Sequence, residues 1–278
     1  MKRIVILGSK PDASFVDADE VWCANAAIGF YGEAVRRYPL AVNVASATIL
    51  RKNLRDASVH GGLYQKKWQA VAAASPARLV LLAAPCDTSC VVEVQEALRR
   101  AGYAPPIEIC TVRRRIRLVR EVAKLRYPVV TRAFFRQPVA VQLRDAERLF
   151  RFVLKSRSGQ GHGETDDDAP GKFRPSTGVL ALLLAMRQHG TEAQYVVTGI
   201  GIEDRWAQQG NGKVLVGKTT TGDGGLTPHV HADIAILRAV AGRYAVRTTE
   251  PELSHLLPLV AAGALLPGNT VARPQAAA

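Results

Sequence analysis

Short apolar runs alternate along the chain with longer segments of mixed character, and that alternation predicts the elements. Residues 3–7 (RIVIL) form an unbroken apolar run that stops at Gly8. A run of this length, bounded by a glycine turn, reads as a strand covered on both faces. Comparable runs at 20–25 (EVWCAN), 40–44 (LAVNV), 78–84 (RLVLLAA), 195–198 (YVVT) and 244–247 (YAVR) predict further strands. Helices are expected at 47–75, at 91–101 before Gly102, at 179–189 before Gly190, and at 229–241. Strands and helices taken in turn predict an α/β protein, a Rossmann-like, mostly parallel sheet flanked by helices. A short strand at 213–216 sits among Gly- and Thr-rich turns, so 202–228 is expected to fold as a small lid insertion. After Pro251 the pattern suggests a closing helical segment and a frayed tail.

The division that follows is an α/β domain over 1–201, the lid over 202–228, and a return to the first domain over 229–278. A chain of 278 residues is long enough to bury a full core of this kind. No apolar run approaches the ~20 residues that span a bilayer. The first apolar run is too short for a signal-peptide core. The expected location is the cytoplasm, with a peripheral position on the inner face of a membrane as the alternative. Four cysteines, at 23, 86, 90 and 110, are too few and scattered for a disulfide framework, and Cys86 and Cys90 lack a second ligand pair for zinc.

Charge changes the picture in one region. The net charge is +13, and residues 113–157 hold 14 Lys and Arg against 3 Asp and Glu. The basic character is therefore local and calls for an anionic partner. Within it, Val139, Leu143, Ala146, Phe150 and Val153 follow each other at spacings of 4, 3, 4 and 3, which makes one helix face. Arg144, Arg148, Arg151 and Lys155 form a stripe on another face. Two readings stay open: a helix laid on an anionic membrane surface, or one packed on the core with a solvated polar side. Phe134 and Phe135, between Arg132 and Arg136, lean towards the membrane or an acyl-chain acceptor. Nucleic acid is not an expected partner, because aromatic residues make up only 6% and no RNA-binding signature is present. A homo-oligomer is compatible with the sequence.

The candidate chemistry gathers where strands end and helices begin, which is where open α/β sheets bind ligands. Gly8 and Ser9 follow the first strand, Asn25 closes the second, and Asn43 interrupts the third. Arg174 precedes Ser176-Thr177-Gly178, a small turn that opens the helix at 179–189. Gly199 ends the strand at 195–198. His229 and His231 open the last helix, and a neutral imidazole there suits a general base. The H-x-H pair lacks a third ligand for a metal, and Asp166-Asp167-Asp168 reads as a solvated loop.

Taken in order, these residues resemble the bacterial sialyltransferases of glycosyltransferase family 42. The resemblance rests on Gly8, Ser9 and Pro11; on Cys23 and Asn25; on Arg174, Ser176, Thr177 and Gly178; on Thr198-Gly199-Ile200; and on a His ahead of Asp233-Ile234. It implies a single-domain glycosyltransferase, a variant of the GT-A type, that transfers a sialic-acid-type sugar from a CMP-linked donor with inversion. The acceptor would be a glycan or glycolipid of the lipopolysaccharide kind. No cofactor and no metal would be required. It casts His229, with His231 as the fallback, as general base, adds Arg174 to the catalytic set, and makes Gly8, Ser9, Asn25, Asn43, Ser176, Thr177, Gly178 and Gly199 donor-binding. The chain departs from the family in three places. Ser9 stands for Asn, Gly201 for Asp, and no tyrosine lies between Gly199 and His231 to meet the leaving phosphate. Arg205, Lys213, Lys218 and Thr219 to Thr221 are the available substitutes. A CMP-Kdo transferase, a pterin pyrophosphokinase-like enzyme using ATP and magnesium, and a basic nucleic-acid binder are the competing readings.

Overall fold

The computed structural model describes residues 1–8, 14, 16–25, 27, 38, 41–47, 50–51, 76–82, 88–100, 102–157, 169–202, 204–209, 212–218 and 228–261. For 88–90, 155–157, 204–209 and 212–218 it describes the backbone alone. Strand β1 (Lys2–Leu7) is the centre of the fold. Its Ile4, Val5, Ile6 and Leu7 are wholly buried, as the apolar run predicts for a strand covered on both faces.

On one side of β1 lie β2 (Glu20–Ala24), β3 (Val42–Ser46), β4 (Arg78–Leu82) and β5 (Ile107–Cys110), in that order. On the other side lie β6 (Ala193–Thr198) and then β9 (Ala245–Thr248). All six pairings in this seven-stranded sheet are parallel. Strands β7 (Asp204–Gln209) and β8 (Gly212–Lys218) form a separate antiparallel hairpin inside the segment expected to be a lid.

Five α-helices accompany the sheet among the described residues: α1 (Thr88–Arg100), α2 (Val112–Val122), α3 (Val139–Arg157), α4 (Thr177–His189) and α5 (Val230–Ala241). The alternate residues of each strand split the core into two layers. Ile4, Ile6, Trp22, Val44 and Val197 pack with α2, α4 and α5. Val5, Leu7, Val21, Cys23 and Leu81 face the other way, onto Val91, Val94 and Leu98 of α1. Helix α4 is the keystone of the first layer. Every residue from Gly178 to Met186 is buried, so it is apolar all round, as a helix enclosed by its neighbours must be. Ser176 caps its start by accepting from the Val179 amide at 3.3 Å, and Gly190 closes its end at a positive φ of 64°. The result is an α/β fold, Rossmann-like in class, and its sheet is wholly parallel where a mostly parallel one was expected.

Several expectations are corrected. Strand β5 and helix α2 were not anticipated. The arginines of VRRRIRLVREV hide a buried face of Val112, Leu118, Val119 and Val122, which the Thr111 side chain introduces by capping. The partner strand of the lid hairpin was also missed. The third strand runs two residues later than predicted and the last strand one later. From Pro251 the described residues form a 3-10 turn, Pro251–Leu253, then turns over 254–256 and a stretch in which Leu259 bridges Thr248 of β9 in parallel. Most of the helix expected at 47–75, the acidic triplet Asp166 to Asp168, Cys86 and Ser9 lie outside the described residues.

The structure closes one of the two readings left open for α3. The helix packs inward through Val141, Asp145 and Phe152, while Val139, Leu143 and Phe150 are 66–71% exposed. The apolar face read from spacing is thus not the face that meets the core. Asp145 turns inward because Lys172 reaches it, Nζ to Oδ2 at 2.8 Å, in a pair almost closed to solvent. A buried carboxylate demands such a partner, and that requirement sets the rotation of the helix.

Candidate active site at the carboxyl edge of the sheet

The chain leaves β1 towards β2 and returns to β6 on the opposite side, so the strand order reverses between β1 and β6. In open α/β sheets the crevice beyond the carboxyl ends of such strands is the usual ligand site. Leu7 pairs with Thr198 at this edge, and the Gly8 amide donates to the Thr198 carbonyl at 2.8 Å. The two chain ends run so close that a Cβ on Gly8 would sit 2.1 Å from the Gly199 carbonyl oxygen. Gly199 itself has a φ of 66°.

Ile200 joins this edge to helix α4. Its side chain would lie 2.8 Å from a Cβ on Gly8 and 2.7 Å from one on Gly178. Both glycines are therefore required by the packing of Ile200. The start of α4 is in turn tied to α5. The Ser176 amide donates to Asp233 Oδ1 at 2.8 Å, and the Ser176 hydroxyl bonds the same carboxyl. Asp233 is buried, and that burial, opposed by the two Ser176 hydrogen bonds, pushes its pKa up to about 7.

His229 stands immediately before α5 with a φ of 73°, a conformation that strains any residue with a Cβ. It is held there from three directions. Its amide donates to the Gly171 carbonyl at 2.8 Å, its carbonyl accepts from the Asp233 amide at 2.8 Å, and its ring Nδ1 lies 3.0 Å from the Arg174 carbonyl oxygen. A carbonyl can only accept, so Nδ1 carries the proton in the neutral ring and Nε2 keeps its lone pair. Arg174, Ser176, His229 and Asp233 thus form one connected cluster. Thr177 and Gly178, the first two residues of α4, continue it.

His231, the second residue of α5, is half-buried, and that burial lowers its pKa. Asn25 and Asn43 occupy the β2–β3 part of the same edge, beyond β1. Asn25 adopts a φ of 52° and accepts from the Ser46 amide at 3.4 Å. Asn43 is fully buried, and with its amide group oriented to satisfy its surroundings it donates to the Cys23 and Asn25 carbonyls, both at 3.2 Å. It braces the end of β2, which is a structural task. The side chains of the lid substitutes Arg205, Lys213 and Lys218, and residues 219–221, lie outside the described residues.

Sequence reasoning passed over a second polar group at this edge. Glu250, just past β9, is buried and accepts from the Gly199 amide at 2.7 Å. Thr249 donates to the Thr198 hydroxyl at 2.7 Å, which donates to the Ser14 carbonyl at 2.6 Å. The run Thr248-Thr249-Glu250 at a strand end was the available hint. Among the described residues, no three His, Cys, Asp or Glu side chains are grouped to hold a metal ion, and no helix is long and apolar enough to cross a membrane.

The fold and this edge define the class: a Rossmann-like α/β protein whose polar cluster sits at the reversal point of a parallel sheet. Compared with known proteins, the chain matches no family model, no curated protein and no solved structure.

Proposed function

We propose that the chain is a glycosyltransferase that moves a sialic-acid-type sugar from a CMP-linked donor to a glycan or glycolipid hydroxyl, with His229 as general base. The observation that carries this reading is the Nδ1 contact of His229 with the Arg174 carbonyl at 3.0 Å, one turn from the start of α4. With the proton on Nδ1, Nε2 is the basic nitrogen of the ring, next to a helix start that favours negative charge.

The reaction needs a base for the acceptor hydroxyl and stabilisation of the departing phosphate. In the proposed step the acceptor oxygen attacks the anomeric carbon as His229 Nε2 takes its proton. The bond to the CMP phosphate breaks on the opposite face, so configuration inverts. The amides of Thr177 and Gly178 and the positive end of α4 offset the charge that develops on the phosphate. A positioned base of this kind contributes roughly 10²–10⁴-fold.

Thermal-shift measurements with CMP, ATP and RNA, each with and without magnesium, separate the readings. A shift with CMP that does not depend on magnesium supports the transferase. A shift with ATP only in the presence of magnesium supports the pyrophosphokinase-like alternative, and one with RNA alone a nucleic-acid binder. His229→Ala should lower turnover of a CMP-linked acid sugar by roughly 10²-fold or more while CMP affinity stays close to that of the wild type. Unchanged turnover in this variant would remove His229 as the base.

A further inference from the structure

The outward face of α3 holds an unusual combination. Phe135, Val139, Leu143, Phe150 and Leu154 are 56–71% exposed, and Val130 is 41% exposed. Within the 19-residue helix, Val139, Leu143, Phe150 and Leu154 follow each other at spacings of 4, 7 and 4, which puts them along one side, while Val130 and Phe135 lie in the segment before it. Arginines precede the stripe and occupy a neighbouring face of the helix. Arg132 and Arg136 stand at its leading end, and Arg144, Arg148 and Arg151 are exposed along one flank of the helix. Acidic residues on the helix itself are few. Asp145 is turned inward to Lys172 at 2.8 Å, which leaves Glu147, paired with Arg151 at 2.6 Å, on the exposed surface of the helix.

The orientation is built in. Val141, Asp145 and Phe152 are buried at 2–6% exposure on the inward side. Rolling α3 to hide Leu143 and Phe150 would drag Asp145 away from Lys172 and into solvent while stranding the lysine. The apolar stripe therefore points outward because the inward side is already committed.

We infer that α3, with the turn before it, is a docking surface for an anionic lipid bilayer. The helix would lie in the plane of the interface, with Phe135, Leu143, Phe150 and Leu154 entering the acyl boundary and the arginines meeting lipid phosphates. An amphipathic helix with aromatic and aliphatic residues on one face and arginines beside them is matched to that environment, where apolar burial and headgroup attraction add. No crossing of the bilayer is involved. A second copy of the chain is a poorer fit. Pairing through the same stripe would set two arginine-bearing helices against each other. This surface does not depend on the transferase reading, and its test needs no substrate.

The full-length protein is mixed with vesicles of phosphatidylcholine, with and without phosphatidylglycerol, and the bound fraction is measured by flotation. Binding is expected with phosphatidylglycerol and should weaken as salt is raised. The Leu143→Ser, Phe150→Ser double variant should lower partitioning roughly ten-fold or more, with an unchanged melting temperature because both side chains already face solvent. The Arg144→Glu, Arg148→Glu variant should lose binding to the anionic vesicles. The proposal is overturned if the wild type does not float with phosphatidylglycerol, or if the serine variant binds as the wild type does. It is equally overturned if sedimentation shows a dimer that the serine variant dissociates, since a second copy would then be the occupant.

Discussion

Replacing Asp233 by asparagine tests the link between the starts of α4 and α5. The carboxyl is buried, accepts from the Ser176 amide at 2.8 Å, and has its pKa raised from 3.8 to about 7. A raised acid pKa means the folded protein holds this proton where the unfolded chain has released it. Asp233 therefore contributes its full stability below about pH 4. That contribution falls as pH rises through the interval from 3.8 to about 7 and levels off above it. Each pH unit of the interval corresponds to about 1.4 kcal/mol, so the total loss is about 4 kcal/mol. Asparagine has nearly the same shape, can still accept from Ser176, and never charges. Its stability relative to the wild type should thus rise by about 4 kcal/mol between pH 4 and pH 8, whatever constant offset separates the two proteins. Urea unfolding at a series of pH values reads this directly. With an m-value of about 3 kcal/mol/M, the midpoints should diverge by about 1 M. Other titrating groups cancel in the difference. Parallel curves for the two proteins would show that Asp233 is ionised in the fold at neutral pH. A fall in the asparagine variant's stability relative to the wild type as pH rises would show that the charge stabilises the fold. Either result refutes the reasoning from burial.

The remaining predictions concern backbone geometry. Gly8→Ala places a Cβ 2.1 Å from the Gly199 carbonyl oxygen and 2.8 Å from Ile200 Cγ1, so the ends of β1 and β6 must part; denaturant unfolding should show a loss of roughly 3 kcal/mol. Gly242→Ala is the control, because its Cβ meets nothing within 4 Å and its φ of −79° suits alanine; it should be neutral or stabilising by up to about 1 kcal/mol. At His229, where φ is 73°, the Gly variant should be more stable than the Ala variant by about 1 kcal/mol, with both lacking the base. The reverse order in thermal melts would mean that the backbone there is not strained.

Much of the fold was legible because its causes are local. Four fully buried residues in β1 were visible as a run of apolar letters. The start of α4 was visible as Ser176 followed by small residues and a leucine-rich stretch, and its end as Gly190. The pairing of a helix start with a strand-ending Gly199 followed from the same letters. Helix α2 was missed although its buried positions recur at helical spacing, because five arginines within it masked the pattern. For α3 the spacing identifies the residues that share a helix face and leaves open whether that face meets the core or a membrane surface; the structure turns it away from the core. Periodicity reports which residues share a side. It does not report which side the neighbours occupy.

The candidate site divides along the same line. His229 and Arg174 could be named from their neighbours in sequence, yet the contact that orients the imidazole joins residues 55 positions apart. Ser176 meets Asp233 across 57 positions and Gly199 meets Glu250 across 51, and neither carboxylate stands out until the chain is folded. By itself the sequence determined six of the seven sheet strands to within two residues, the capped helix α4, the basic segment and the residue types able to do acid–base chemistry, since propensity, capping and periodicity act within a few residues; β5, β7 and α2 escaped it. Only the tertiary structure decided that the sheet reverses between β1 and β6, that Ile200 fills the space at Gly8 and Gly178, and that α3 turns Leu143 and Phe150 outward while burying Phe152. Those outcomes depend on which distant groups must satisfy one another once water is excluded, and a buried carboxylate such as Asp145 or Asp233 will turn a whole helix to find its partner.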